Sequence, residues 1–221
     1  MNTIYKYRPK SIDEFVFADE QLEKQIRRYS DGRNVLPLIL HGSNGTGKSL
    51  LGELIPKAID GEAVSVTKIH AEDLNSKREV REKFSRDLHF DHLFSQNGQR
   101  MGYTVVEEVN FDPTARDALR TCLDDMAERE LFIFTTNELQ KIDVGLRSRC
   151  EQIEVKPARP DRFLQRAQHI LRSEGVELDD AVILEVLEAV FDSDCDNRKY
   201  YSALDEIIEA CRTTRTEQGV A

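Results

Sequence analysis

At 221 residues, the chain is long enough for one ordinary domain and a small second one. With 39% hydrophobic and 33% charged residues, its composition is that of a folded protein with a densely charged surface, which excludes a disordered or fibrous chain. A formal net charge of −10 argues against a broadly DNA-adhesive surface, because neutralising phosphates takes clustered Lys and Arg.

No apolar run reaches the length of a bilayer span. The opening MNTIYKYRPKSIDEF lacks the apolar core of a signal peptide. A cytoplasmic protein with no membrane partner is therefore expected. In that compartment Cys122, Cys150, Cys195 and Cys211, none in a CxxC pair, read as reduced thiols. The histidines show no HxxxH spacing, so no catalytic metal cage is expected.

Strands and helices then alternate. VLPLIL, Val35 to Leu40, is a short apolar run bounded by Asn34 and Gly42 and predicts a buried strand. A helix is expected from about Lys48 to Ile59, shortened or kinked by Pro56. AVSVTKI (63–69) predicts a second strand, and residues 74–89 a helix. The basic stretch Ser76 to Arg86 within it is interleaved with Glu79 and Glu82, as on a solvated helix face. Gly102 to Val109 predicts a third strand. Residues 113–128 form an amphipathic pattern, with Ala118, Leu119, Cys122, Leu123 and Met126 on one stripe. LFIFTTN (131–137) and CEQIEVKP (150–157) supply two more strands. Strands separated by helices predict a parallel sheet covered on both faces. Beyond the proline-bearing linker Lys156 to Pro160, only helices are expected, over 161–175, 179–191 and 197–214. The expected fold is α/β over 1–157, followed by a small all-helical domain over 158–221.

HGSNGTGKSL, His41 to Leu50, joins the first strand to the first long helix. It fits G-x-x-x-x-G-K-[ST] through Gly42, Gly47, Lys48 and Ser49. Glycines allow the backbone of Ser43, Asn44, Gly45, Thr46 and Gly47 to turn its amides toward an anion. The helix that opens through Leu50 adds the positive end of its dipole. Lys48 is expected to bridge the β- and γ-phosphates of ATP, and Ser49 to ligate magnesium. A nucleotide so held needs an acid on a neighbouring strand. Glu107 and Glu108 end the third strand, one suited to the metal's coordination sphere and the other to taking a proton from water. Asn137 ends another apolar strand and is a candidate to orient that water.

With these elements in this order, the sequence resembles the AAA+ ATPases, and more narrowly the small ATPase subunits of sliding-clamp loaders such as those of replication factor C and tailed phages. YKYRP at Tyr5 to Pro9 is similar to the opening of those subunits, and implies that Tyr7, Arg8 and Pro9 frame the adenine. TARDALRTCLDDM is similar to the helix after the acidic strand. SRC at Ser148 to Cys150 implies that Arg149 reaches a neighbouring subunit's ATP as an arginine finger. CDNRKYYSAL resembles the G-D-x-R segment of the helical lid and implies that Arg198 contacts ATP. The resemblance implies ATP held with Mg2+ between an α/β domain and a lid. It also implies assembly with itself or with related subunits in a ring, and action on a sliding clamp and DNA in replication.

Several positions depart from the family pattern. The acidic pair begins with Glu107 rather than Asp, and the extra methylene moves the carboxylate by about 1.5 Å. Magnesium demands near-ideal octahedral geometry, so slow hydrolysis is expected. D-E-A-D becomes E-E-V-N, ending at Asn110. The sequence stops where the resemblance implies that clamp-loader subunits begin a helical collar, so any ring is expected to be held by ATP-site interfaces alone, by a partner, or not at all. Two rivals follow: an ATP-dependent switch or scaffold with little hydrolysis, regulating a nuclease or defence effector, and a nucleic-acid-binding module without turnover, which the net charge opposes.

Overall fold

The structure, a computed structural model, describes residues 2–74, 76–84, 101–109, 113–126 and 128–218. In chain order the elements are α1 (Thr3–Lys6), α2 (Glu20–Ser30), β1 (Leu38–His41), α3 (Lys48–Asp60), β2 (Thr67–His70), α4 (77–84), β3 (Gly102–Glu107), α5 (Pro113–Met126), β4 (Glu130–Thr136), α6 (Val144–Arg147), β5 (Glu151–Glu154), α7 (Pro160–Ser173), α8 (Asp180–Ser193) and α9 (Asn197–Gln218). No described helix is long and apolar enough to cross a membrane. The chain divides into two compact units. One comprises Gln21–Gly42 and Gly47–Val155; the other comprises Met1–Glu20, Ser43–Thr46 and Lys156–Ala221.

The first unit is built on a five-stranded parallel sheet in the order β2-β3-β4-β1-β5. A parallel sheet covered on both faces needs strands that are apolar throughout rather than alternating. Every residue of β4 is buried, as are the first five of β3. On one face Ile39, Val106, Phe132 and Phe134 pack with Val80 and Phe84 of α4 and with Ala118, Leu119 and Leu123 of α5. Cys122 and Met126 lie partly buried against the same cluster, so the whole predicted stripe of α5 faces the core. Each fully buried phenylalanine in such a cluster is worth about 1.5–3 kcal/mol.

Several boundaries differ from those expected. β1 starts at Leu38 rather than Val35, and Val35 and Leu36 are exposed. Pro37 has no N–H to give to a ladder; its carbonyl accepts from Glu151 N at 2.8 Å, where β5 begins. β2 starts at Thr67 because the residues before it form a turn, Val64 N donating to Gly61 O at 3.2 Å. Pro56 lies buried inside α3 without ending it; the helix stops at Gly61 instead. α4 accounts for 77–84 of the helix expected over 74–89, and residues 75 and 85–89 lie outside the described residues, as does Asn110.

The second unit packs α7, α8 and α9 around Phe163, Ile170, Leu171, Leu187, Tyr200 and Leu204. Pro160 opens α7 at its first turn, where a missing N–H costs nothing. Phe163 stacks on Tyr200, with ring centroids 4.6 Å apart. The N-terminal segment belongs to this unit. Thr3 Oγ1 donates to Tyr201 O at 3.1 Å, and the carboxylate of Asp205 accepts from Thr3 N at 3.1 Å. Glu174 accepts from Lys6 Nζ at 2.6 Å, Tyr7 Oη at 2.7 Å and Arg212 at 2.8 Å. Those donors, Lys6 first and then Tyr7, hold the Glu174 carboxyl below its ordinary value.

Candidate nucleotide site

In the sheet unit, parallel strands present all their C-terminal ends on one edge, where open α/β sheets take ligands. Register brings Leu40 of β1 beside Thr135 and His41 beside Thr136, and Val106 of β3 beside Phe134. The chain leaves β1 at Gly42, whose φ is +139°; a Cβ there would lie 2.4 Å from Val155 O, so only glycine fits. α3 starts at Lys48, with Gly47 as its N-cap. Lys48 is 8% exposed, and its side chain turns back to the loop, Nζ donating to Gly42 O at 2.9 Å. A lysine with little exposure beside the N-terminal end of a thirteen-residue helix gives this turn a positive electrostatic character. Burial pushes the His41 imidazole below its ordinary pKa, with Glu154 opposing and Lys48 adding to the shift. Ser49 is exposed at the second position of the helix.

Glu107 closes β3 opposite His70 of β2, with 3.8 Å between His70 Nδ1 and Glu107 Oε2. The next residue breaks the strand. Glu108 has φ +55°, and it alone among the described non-glycine residues has a positive φ. Such a conformation costs on the order of 1 kcal/mol. It is held by β4: Glu108 N donates to Thr135 Oγ1 at 3.4 Å and Val109 N to Thr135 O at 3.0 Å. The expected strand to Val109 therefore ends at Glu107, and the Glu108 side chain stands exposed at the sheet edge. Asn137 follows buried Thr135 and Thr136 and is exposed on the same edge.

Arg149 follows the short α6, whose N-cap Asp143 accepts from Leu146 N at 3.0 Å and from Arg120 at 2.6 Å. The Arg149 guanidinium is held within its own chain. Nε and Nη2 donate to the two oxygens of Asp124 on α5 at 2.8 and 2.9 Å, and Nη1 donates to Gly145 O at 2.9 Å. The hydrogen bond from Arg149 holds the Asp124 carboxyl below its ordinary value. Cys150 beside it is a packing residue; burial pushes its thiol up to about 12, so it carries no thiolate at neutral pH.

In the helical unit, Tyr7 gives its hydroxyl to Glu174 and meets His169 edge-on at 6.2 Å. Arg8 is exposed and Pro9 half-buried. The middle of the loop, Ser43–Thr46, belongs to this unit. Ser43 and Asn44 are exposed, while Thr46 is buried with Oγ1 donating to Ser43 O at 3.1 Å. Arg198 binds Asp196 through Nε at 2.9 Å and Nη2 at 2.5 Å. Asn197, which sequence reasoning passed over, spans two segments: Nδ2 donates to Thr46 O at 3.4 Å, and Oδ1 accepts from Ala158 N at 2.8 Å. Asp124 was also passed over, since nothing in a one-dimensional pattern pairs it with an arginine 25 positions away.

The donor set suits a nucleotide with magnesium. Ser49 and Glu107 offer hard oxygen ligands. Among the described residues no group of three or more His, Cys, Asp or Glu is placed to hold a metal ion by itself. A divalent ion bound here would take its remaining ligands from phosphate and water.

A glycine loop folded around a lysine, with acids at the same edge of a parallel sheet, defines a P-loop nucleotide-binding protein. The family model "ATPase family associated with various cellular activities (AAA)" matches residues 38–158, and the chain belongs to that family. Among curated proteins it is similar to replication factor C small subunit 1 of Pyrobaculum arsenaticum, 29% identical over 83% of this chain and 56% of the relative. It is also similar to replication factor C small subunit 2 of Pyrobaculum islandicum, 26% identical over 98% of this chain and 66% of the relative. The chain thus spans between about half and two thirds of the length of these relatives. In fold it is similar to a RuvB mutant of Thermotoga maritima, with a TM-score of 0.74 at 14% identity over 95% of this chain and 68% of the other.

Proposed function

We propose that the chain binds and hydrolyses ATP as a clamp-loader-type subunit, assembling with itself or with related AAA+ subunits to act on a sliding clamp and DNA in replication. The observation that carries this is the convergence of Lys48, Glu107, Glu108 and Asn137 on the C-terminal edge of one parallel sheet. Likeness to replication factor C small subunits along most of the chain supports the finer assignment.

In this reading the amides of Ser43 to Leu50 hold the phosphates, and the Lys48 ammonium exchanges the Gly42 carbonyl for phosphate oxygen. Ser49 and Glu107 would hold magnesium, which supplies charge neutralisation on the β- and γ-phosphates. Glu108 accepts the proton of the attacking water, and Asn137 orients that water. Tyr7, Arg8 and Pro9 frame the adenine, and Arg198 contacts the phosphates. Arg149 releases Asp124 and donates to the γ-phosphate of a neighbouring subunit, where a bidentate guanidinium suits the spreading charge. The domains would divide near residue 157, as the linker prolines suggest.

The test is titration with fluorescent ATP in the presence of magnesium. Saturable binding is expected, and Lys48→Ala should weaken it roughly 10- to 100-fold. No saturable uptake by the unmodified protein would reject the proposal. Replacing Glu107 with Asp should raise turnover if the longer side chain impairs the metal site; an unchanged rate would exclude that account.

A further inference from the structure

Where α9 begins, an acid lies against the phosphate loop. A Cβ on Gly45, whose φ is +72°, would fall 1.7 Å from Asp196 Oδ1 and 2.4 Å from Oδ2. The carboxylate therefore rests directly on the loop's backbone, in space that any residue other than glycine would take. Its side chain is 11% exposed, while that of its partner Arg198 is 59% exposed. Arg198 Nε reaches both carboxylate oxygens, at 3.0 and 2.9 Å, and Nη2 reaches Oδ2 at 2.5 Å. Burial pushes the Asp196 carboxyl up, but the bonds from Arg198 outweigh it and hold the group below its ordinary value. Asp196 also caps α9, Oδ1 accepting from Arg198 N at 2.8 Å. The Asn197 bond to Thr46 O fixes the same helix end to the same loop.

We propose that Asp196 is an internal anion that competes with the nucleotide's phosphates for Arg198, and so weakens triphosphate binding. This rests on the reading of Arg198 and the loop as parts of the nucleotide site. A guanidinium favours bidentate partners, and carboxylate and phosphate both offer that geometry. When Arg198 turns to a phosphate, a largely buried carboxylate loses its counter-charge, which costs more than breaking an exposed pair. The longer, more charged triphosphate engages Arg198 more fully than a diphosphate does. Removing the charge of Asp196 should therefore favour ATP over ADP.

Asp196→Asn separates charge from capping, because an asparagine oxygen still accepts from Arg198 N. Mant-ATP and mant-ADP are titrated with magnesium into the unmodified protein, Asp196→Asn, Arg198→Ala and the double variant. Asp196→Asn should bind ATP roughly five-fold tighter, with a smaller gain for ADP. The gain should vanish in the Arg198→Ala background. Thermal midpoints are measured for each, and if Asp196→Asn does not fold, Asp196→Ser, which also keeps a capping oxygen, is titrated in its place. Unchanged or weaker ATP binding by the charge-neutral variant overturns the proposal, as does a gain that survives without Arg198. If the unmodified protein takes up neither nucleotide, the nucleotide-site reading fails with it; if it binds and Asp196→Asn matches it, only the role of Asp196 fails.

Discussion

Each unit holds one arginine proposed to meet a phosphate, and each arginine is paired with an aspartate, but the pairs are built differently. In the sheet unit Arg149 reaches Asp124 on another element, and both side chains are well exposed, at 37% and 55%. In the helical unit Arg198 pairs two residues back with Asp196, which is nearly buried against Gly45. Water can re-solvate both partners of the first pair when it opens, so that pair holds its arginine only weakly. The second leaves a desolvated carboxylate behind. The arginine proposed to reach a neighbouring subunit's nucleotide is thus the one held by exposed partners. The arginine proposed to contact nucleotide from the helical unit is held by a partner that resists release.

Substitutions in the two units can break or sharpen that contrast. The largest effect is expected at Arg149: Arg149→Ala should lower the ATPase rate by about a thousand-fold. It should also abolish any rise of specific rate with protein concentration. A concentration-independent rate untouched by the substitution would rule out a shared site. Next in size, Glu108→Gln should cut turnover by roughly 100-fold or more while leaving ATP binding intact, measured by single-turnover hydrolysis alongside equilibrium titration. A parallel loss of binding would show that Glu108 holds nucleotide rather than water.

A smaller effect is expected in the helical unit at Glu174. Its folded carboxyl lies below the ordinary value because Lys6 and Tyr7 donate to it. The stability it contributes is therefore present above the unfolded carboxylate pKa and lost as pH falls through the depressed folded value. Glu174→Gln should cost about 1 kcal/mol at neutral pH and flatten the acid limb of stability, read from denaturant melts at several pH values. An acid limb identical to that of the unmodified protein would remove Glu174 from the account. The smallest effect is expected from Asp124→Asn, which loosens Arg149 and should raise the concentration-dependent rate by no more than roughly five-fold. A large fall instead would mean that Asp124 aims the arginine rather than merely holding it.

Much of the architecture was legible along the chain. The apolar runs of β3 and β4 and the stripe on α5 are local patterns, and the structure buries them as such. The glycine-lysine loop was legible because its chemistry is contiguous, from Gly42 to Ser49. Boundaries were less so. Pro37 displaced the start of β1 through a missing donor, and Pro56 sat inside α3 without shortening it, where a kink or an early end was expected.

By itself, then, the sequence determined which residues are candidates to hold a phosphate, because spacing along one loop and one strand end is enough to nominate amides, a lysine and acids. Only the tertiary structure decided what those residues hold on to within the chain. The turn at Glu108 depends on Thr135, 27 positions away; Arg149 depends on Asp124 and Tyr7 on Glu174, and none of these shares a local period with its partner. Backbone patterns are set by near neighbours, whereas charge pairing and close approach are set by whichever elements the sheet and the helices happen to bring together.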